Sequence, residues 1–346
     1  MSATQAIRGT AVAALVVFGV LVAPASATFS GTNGQITFFR FDGTDQSAEI
    51  WRADANGANQ VKLTNSGAEH ASVESDWALS GLRIAFDSDR LFGVDGDVQI
   101  YTMDRNGGDV QQVTTGDGFH GDPAYSHAGT TLAIEADWGD FPAKEGIYLI
   151  PTVGPVEEAD ATKVVGIPGN GVFVSEPQFS PDGTWIAFTT LKNCDRFNER
   201  SHHPQPTGCT SAIYRVHPDG TGLKRLTDWG NNASYPDWSP DGQWIAHDTG
   251  DNGKLGQHGG IWLMRPDGSN NHEIISGSPL TQKVASFYNN AVFSPDGTSL
   301  AFTHFLDLTS DLERSTAAGG GITKTVIGVQ DVNVQNRVDW GPAAVD

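Results

Sequence analysis

The sequence predicts an all-β fold, a six-bladed β-propeller of four-stranded blades. Three observations predict it. A turn of the form aromatic–x–x–x–Gly that contains a Ser, followed by an apolar triplet, recurs five times at similar spacing. A second hairpin signature, ending in Asn-Gly or Asp-Gly and closed by Leu-Thr or its equivalent, falls between the copies. The two chain ends each carry part of one more unit.

The first repeat runs Trp77–Phe86, Tyr125–Ile134, Phe179–Phe188, Trp238–His247 and Phe293–Phe302. Its glycines, at 81, 129, 183, 242 and 297, lie 48 to 59 residues apart, which fits one blade plus variable loops. Three copies read Ser-Pro-Asp-Gly: Pro presets φ at the first central position, and Gly accepts positive φ later in the turn. Apolar runs on both sides make each copy a hairpin between strands a and b. The runs are short and nearly continuous, as expected of sheets covered on both faces.

The second repeat starts at Ile50, Ile100, Ile213 and Ile261, turns at Gly57, Gly107, Gly220 and Gly268, and closes at Leu63-Thr64, Val113-Thr114, Leu226-Thr227 and Ile274-Ile275. It is the c–d hairpin. Ile147 to Ile150 is a degenerate copy. A sixth inner strand, Arg337 to Gly341, arrives just as the chain stops. Strands b, c and d for it stand at the start, at Gln35–Phe39, Glu49–Trp51 and Gln60–Leu63. The ends therefore complete one blade and close the ring, which removes the raw edges that a linear solenoid would leave.

These residues resemble the TolB-type propeller repeat, F-S-P-D-G-x-x-I-A-F with I-Y-x-x-x-x-D-G and L-T, over nearly all of residues 34–341. The Asp-Trp pairs at 76–77, 237–238 and 339–340 are reversed relative to a WD repeat, and no Gly-His partner recurs. The resemblance implies a stand-alone propeller without the N-terminal α/β domain of TolB.

Residues 1–27 read as a secretory leader: Arg8, an apolar run from Ala11 to Val22, and Ala25-Ser26-Ala27 as cleavage site. That leaves residues 28–346 as one propeller domain, exported to the periplasm or the extracellular space, monomeric, and with no later membrane insertion. Acidic residues outnumber basic ones by 41 to 21, which argues against nucleic-acid binding. Two cysteines exclude a disulfide-dense scaffold. Cys194 and Cys209, in the longest b–c connection, are expected to form a disulfide; His202 and His203 between them raise a zinc alternative.

Strand alternation puts the short a–b and c–d turns on one face and the long b–c and d–a connections on the other. A binding site belongs to the variable face. Three residues before each aromatic stand Glu74, Asp122, Glu176, Tyr235, Asn290 and Arg337, a ring expected at the channel mouth, with His70 and His120 from the adjoining d–a loops. No cofactor is expected. The stretch from Asp248 to Gly253 and the pair Asp95 and Asp97 resemble calcium loops only faintly, and Gly259 stands where a bidentate Glu belongs. G-x-S-x-G, H-E-x-x-H and Walker motifs are absent from the sequence. The expected function is non-enzymatic binding of a protein or cell-envelope polymer, such as a peptidoglycan-associated partner. The alternative is a metal-dependent carbohydrate-active enzyme, a lyase or hydrolase, using His70, His120 and a carboxylate.

Overall fold

The computed structural model describes residues 31–42, 44–91, 97–140, 143–166, 172–193, 209–250, 259–281, 284–306, 309–317, 322–327 and 334–344. The stretch read as a leader and Cys194, and with it the expected bridge to Cys209, lie outside the described residues.

Blade one holds β1 (Asn33–Asp42), β2 (Ser47–Asp54) and β3 (Val61–Lys62). Blade two holds β4 (Ser72–Trp77), β5 (Arg83–Ser88), β6 (Gln99–Asp104) and β7 (Gln111–Gln112). Blade three holds β8 (His120–Tyr125), β9 (Thr131–Ala136), β10 (Gly146–Pro151) and β11 (Thr162–Val165). Blade four holds β12 (Val172–Phe179), β13 (Ile186–Lys192), β14 (Thr210–Val216) and β15 (Lys224–Arg225). Blade five holds β16 (Ala233–Trp238), β17 (Ile245–Thr249), β18 (Gly260–Met264) and β19 (His272–Ile275). Blade six holds β20 (Ser278–Thr281), β21 (Val284–Phe293), β22 (Ser299–Leu306), β23 (Thr309–Thr316) and β24 (Ile322–Ile327). The last strand, β25 (Val334–Pro342), pairs antiparallel with β1 and completes blade one. The innermost strands touch in the circular order β25, β4, β8, β12, β16, β21 and back to β25. Blade six departs from the expected four strands: β20 adds a fifth, folded back on the long start of β21.

The turns form as their chemistry dictates. In blade four Ser180 Oγ donates to Asp182 Oδ1 at 2.6 Å and accepts the Trp185 N–H at 2.9 Å, while the Gly183 N–H closes on Ser180 O at φ 69°. Ser239 with Asp241, and Ser294 with Asp296, repeat this lock. The Leu-Thr pair has an equally specific job. Thr64, Thr114 and Thr227 hydroxyls accept the N–H of Ile50, Ile100 and Ile213 at 2.8 to 2.9 Å, pinning the short edge strand to strand c. Each apolar layer joins neighbouring blades: Ile50 and Leu63 of blade one pack with Trp77, Ile84, Phe86, Tyr101 and Met103 of blade two. Burial from both sides is why the strands lack hydrophobic alternation.

Candidate functional site

Every inner strand carries a bulge at the same place. Between Val73 and Asp76, for example, Glu74 and Ser75 face the single residue Phe86 of β5. Register shifts recur at 121/124, 175/178, 234/237 and 289/292, and β25 shifts against β1 in the same region. The bulge residues are Glu74, Asp122, Glu176, Tyr235, Asn290 and Arg337, and all six have positive φ, from 49° to 68°. Such backbone is uncommon for side chains other than glycine and costs about 1–3 kcal/mol each. It is held by hydrogen bonds across blades. Asp87 Oδ2 accepts the Asp122 N–H at 3.2 Å, and Asp122 Oδ2 accepts the Glu176 N–H at 2.9 Å. Glu176 Oε2 accepts the Tyr235 N–H at 2.8 Å, and Asp248 Oδ2 accepts the Asn290 N–H at 3.1 Å. Pro follows the bulge residue at 123, 177 and 236, a position where a missing N–H breaks no ladder bond.

The structure thus brings all six predicted ring residues together, inside the channel. Arg337 is their centre. Its guanidinium pairs with Glu74, with Asp122 at 2.8 Å and with Glu176 at 3.2 Å, and its Cζ lies 4.8 Å from the Tyr235 ring centroid. Arg337 therefore joins the closing strand to blades two, three, four and five. Burial opposes its charge, but Asp122, Glu74 and Glu176 together hold its pKa well above the ordinary range. Burial pushes the Tyr235 hydroxyl well up, helped by Glu176. Glu176 is raised by burial despite Arg337.

One layer deeper lies a ring that the sequence reading left without a role. Asp76, Asp237 and Asp339 each precede the aromatic of their strand, and each Oδ2 accepts the aromatic's N–H on the next blade, at Tyr125, Phe293 and Trp77, all at 2.7 Å. This is what the Asp-Trp pairs do: they clip blade to blade. Strand b adds Asp87, Glu135 and Asp248 beside the bulges. Burial, followed by Glu145 and Asp122, pushes Glu135 well up. The signal for these three was available, as an acid directly after the apolar triplet.

Asp248, at the start of the faintly calcium-like stretch, is a residue of β17. It is buried, bonded to Ser234 Oγ at 2.6 Å, and pushed by burial up to about 8. The rest of that loop, residues 251–258, and Asp95 lie outside the described residues; Asp97 accepts the Gly118 N–H at 2.7 Å.

The two histidines stand apart from the ring. His70 is partly exposed, with Nδ1 3.4 Å from Asp89. His120 is fully buried, with Nδ1 3.0 Å from Gln99 and its ring 4.2 Å from that of Trp138. Burial lowers its pKa to about 4. Among the described residues no group of three His, Cys, Asp or Glu side chains is arranged to hold a metal ion. No helix among them is long and apolar enough to cross a membrane.

No protein-family model and no curated protein matches this sequence. Solved structures do match the fold. TolB from Acinetobacter baumannii superimposes with a TM-score of 0.64 at 17% identity, over 89% of this chain and 67% of that one. A putative TolB from Agrobacterium tumefaciens gives 0.57 at 19% identity, over 90% of this chain and 99% of that one. An oligogalacturonate lyase in complex with manganese gives 0.50 at 15% identity, over 83% of this chain and 71% of that one. At these identities the likeness concerns the fold. With six blades, the predicted closure and both repeat signatures in place, this chain folds as a TolB-like six-bladed β-propeller.

Proposed function

We propose that this chain is an exported, non-enzymatic propeller that binds a protein or a cell-envelope polymer on its b–c/d–a face. The ring of Glu74, Asp122, Glu176, Tyr235, Asn290 and Arg337 forms the floor of that surface. His70, beside Asp89, and His120, beside Gln99 and Trp138, stand apart from that floor. One observation carries this reading, the inequality of the two faces. The a–b turns are five or six residues long in every blade that has one, and their bonds repeat. The b–c connections range from two residues, after β22, to seventeen, between β13 and β14. Connections that vary over a repeated frame are where recognition sits. The ring supports the reading because its cation and three of its acids already satisfy one another, leaving recognition to the loops around it.

The experiment is a capture from cell-envelope extract and from purified envelope polysaccharide. The full chain is compared with a variant whose 193–209 connection is cut to a short Gly-Ser turn, and with Val153→Asp/Leu223→Asp on the opposite face. Val153 and Leu223 are 70% and 47% exposed, so that double variant should fold. Loss of the partner in the first variant and retention in the second supports the proposal. The reverse pattern moves the site to the turn face. Depolymerisation of a uronate polymer by the full chain with added manganese would replace the binding reading with the enzymatic one.

A further inference from the structure

The two acidic layers line one small cavity. A cavity of about 50 Å³, room for one or two waters, is walled by Glu74, Asp122 and Glu176 of the outer layer and by Asp76, Asp237 and Asp339 of the inner one. Arg337 is the one cation in that wall, and it is committed to the outer three. The inner three have backbone N–H groups and each other. Asn290 Oδ1, buried in the same wall, has no hydrogen-bond partner among the described residues, an acceptor in need of a donor. Carboxylates crowded together away from water cannot all ionise.

We propose that the channel is a proton-loaded lock: the inner carboxyls carry protons when the ring is closed, so closure of the propeller takes up protons and slackens as pH rises. The device sits at the clips between blades. Each inner carboxyl accepts the N–H of the next blade's aromatic through one oxygen, and a proton on the group lets it stay in the cavity without an uncompensated charge. The charged and titratable groups that line the two cavities bordered by Asp237 are Asp76 and Glu74 from β4, Asp122 and Tyr125 from β8, Glu176 from β12, Asp339 and Arg337 from β25, and Tyr235 from its own strand. Carboxylates outnumber the cation throughout.

The expected shifts agree with the geometry. Burial pushes Asp237 up to about 8, against the pull of the Phe293 N–H, with Asp339 adding to the rise. Asp339 is pushed by burial to about 6, and Asp76 rises well above its ordinary value through burial and then Asp339. An unfolded Asp titrates near about 3.9. The folded values are higher, so this stabilisation is complete below about pH 4 and is lost as pH climbs through about 6 to 8. Buried His120 acts oppositely. Its folded value of about 4 lies below the unfolded one, so its share is lost as pH falls from about 6.5 toward 4. The lock is therefore read between about pH 6 and 9, clear of the histidine. Asp248 and Glu145, also pushed by burial up to about 8, titrate in the same window, so the change caused by the Asp237 variant isolates the lock from them.

The test is urea unfolding of the full chain across that window, followed by tryptophan fluorescence. In wild type the unfolding constant should rise about tenfold per pH unit for each proton released. Asp237→Asn keeps the oxygen that accepts the Phe293 N–H and removes the titration; its pH slope should fall by about one proton. Asp182→Asn, in an exposed turn, should keep the wild-type slope. A wild-type stability that is flat or rises from pH 6 to 9, or an unchanged slope in Asp237→Asn, overturns the proposal. If Asp237→Asn does not fold, Asp76→Asn, which keeps the oxygen that accepts the Tyr125 N–H, is measured instead; its pH slope should fall in the same way, and an unchanged slope overturns the proposal.

Discussion

The same residue type serves two regions of this propeller under opposite physics. In the a–b turns, Asp182 and Asp296 accept N–H and O–H donors at the surface. Their pKa values fall below the ordinary range: desolvation is the largest single influence and raises them, but the several hydrogen bonds together outweigh it. In the channel, Asp237 and Asp248 also accept backbone N–H groups, yet both are pushed up to about 8. The local bonding is alike. What differs is water: burial and neighbouring carboxylates dominate in the channel, donors in the turn. A motif tells which bonds an aspartate makes, and the place of the motif in the ring decides its charge.

The largest effect should come from the one group that reconciles the channel acids. Arg337→Met leaves Glu74, Asp122 and Glu176 without a buried counterion. It should lower stability by about 3–5 kcal/mol in denaturant unfolding. Arg337→Lys should recover part of this, since a single ammonium lacks the fork that reaches three carboxylates. Recovery to wild type by Lys would mean that charge alone matters.

A middling effect is expected where blades meet away from the channel. Gly107 sits at φ 84°, and a Cβ there would stand 2.6 Å from the Leu63 carbonyl oxygen of the preceding blade. Gly107→Ala combines that clash with left-handed strain and should cost about 1–3 kcal/mol in the same measurement. Thr114→Val removes the hydroxyl that accepts the Ile100 N–H and donates to Gln99. The buried Ile100 N–H loses its side-chain acceptor and Gln99 Oε1 loses one of two partners, a loss of about 1–3 kcal/mol. An effect equal to that of Arg337→Met at either site would erase the distinction between channel and blade seams.

The smallest effect belongs to the turns. Asp182→Ala should cost about 1 kcal/mol, as one neutral-range set of exposed hydrogen bonds is exchanged for water. Its pH signature is the sharper comparison. The folded pKa of Asp182 is lowered, so its contribution is present above the unfolded value near about 3.9 and is lost as pH falls through the folded one. Thermal melts of Asp182→Asn should therefore differ from wild type by a changing amount only below about pH 4. A changing difference above pH 6 would place turn and channel acids in one class.

Much of this arrangement was legible in the one-dimensional pattern. Ser180, Asp182 and Gly183 specify their turn because all its partners lie within five residues. The closing blade was legible because Asp339-Trp340 repeats Asp237-Trp238 at the point where the chain runs out. The ring at 74, 122, 176, 235, 290 and 337 followed from counting back from the aromatics. Its bulges and its mutual neutralisation did not. The extra strand β20 was missed because Ser278–Thr281 carries no repeat signature and pairs only with the extended start of β21.

The sequence by itself determined the repeat, the turn chemistry, the number of blades and the way the ends join, because each rests on contacts short in sequence or on exact periodicity. Only the tertiary structure decided which acids are ionised and which single cation serves them. Arg337 meets Asp122 across 215 positions and Glu176 across 161, and those distances collapse only when the ring closes and shuts water out.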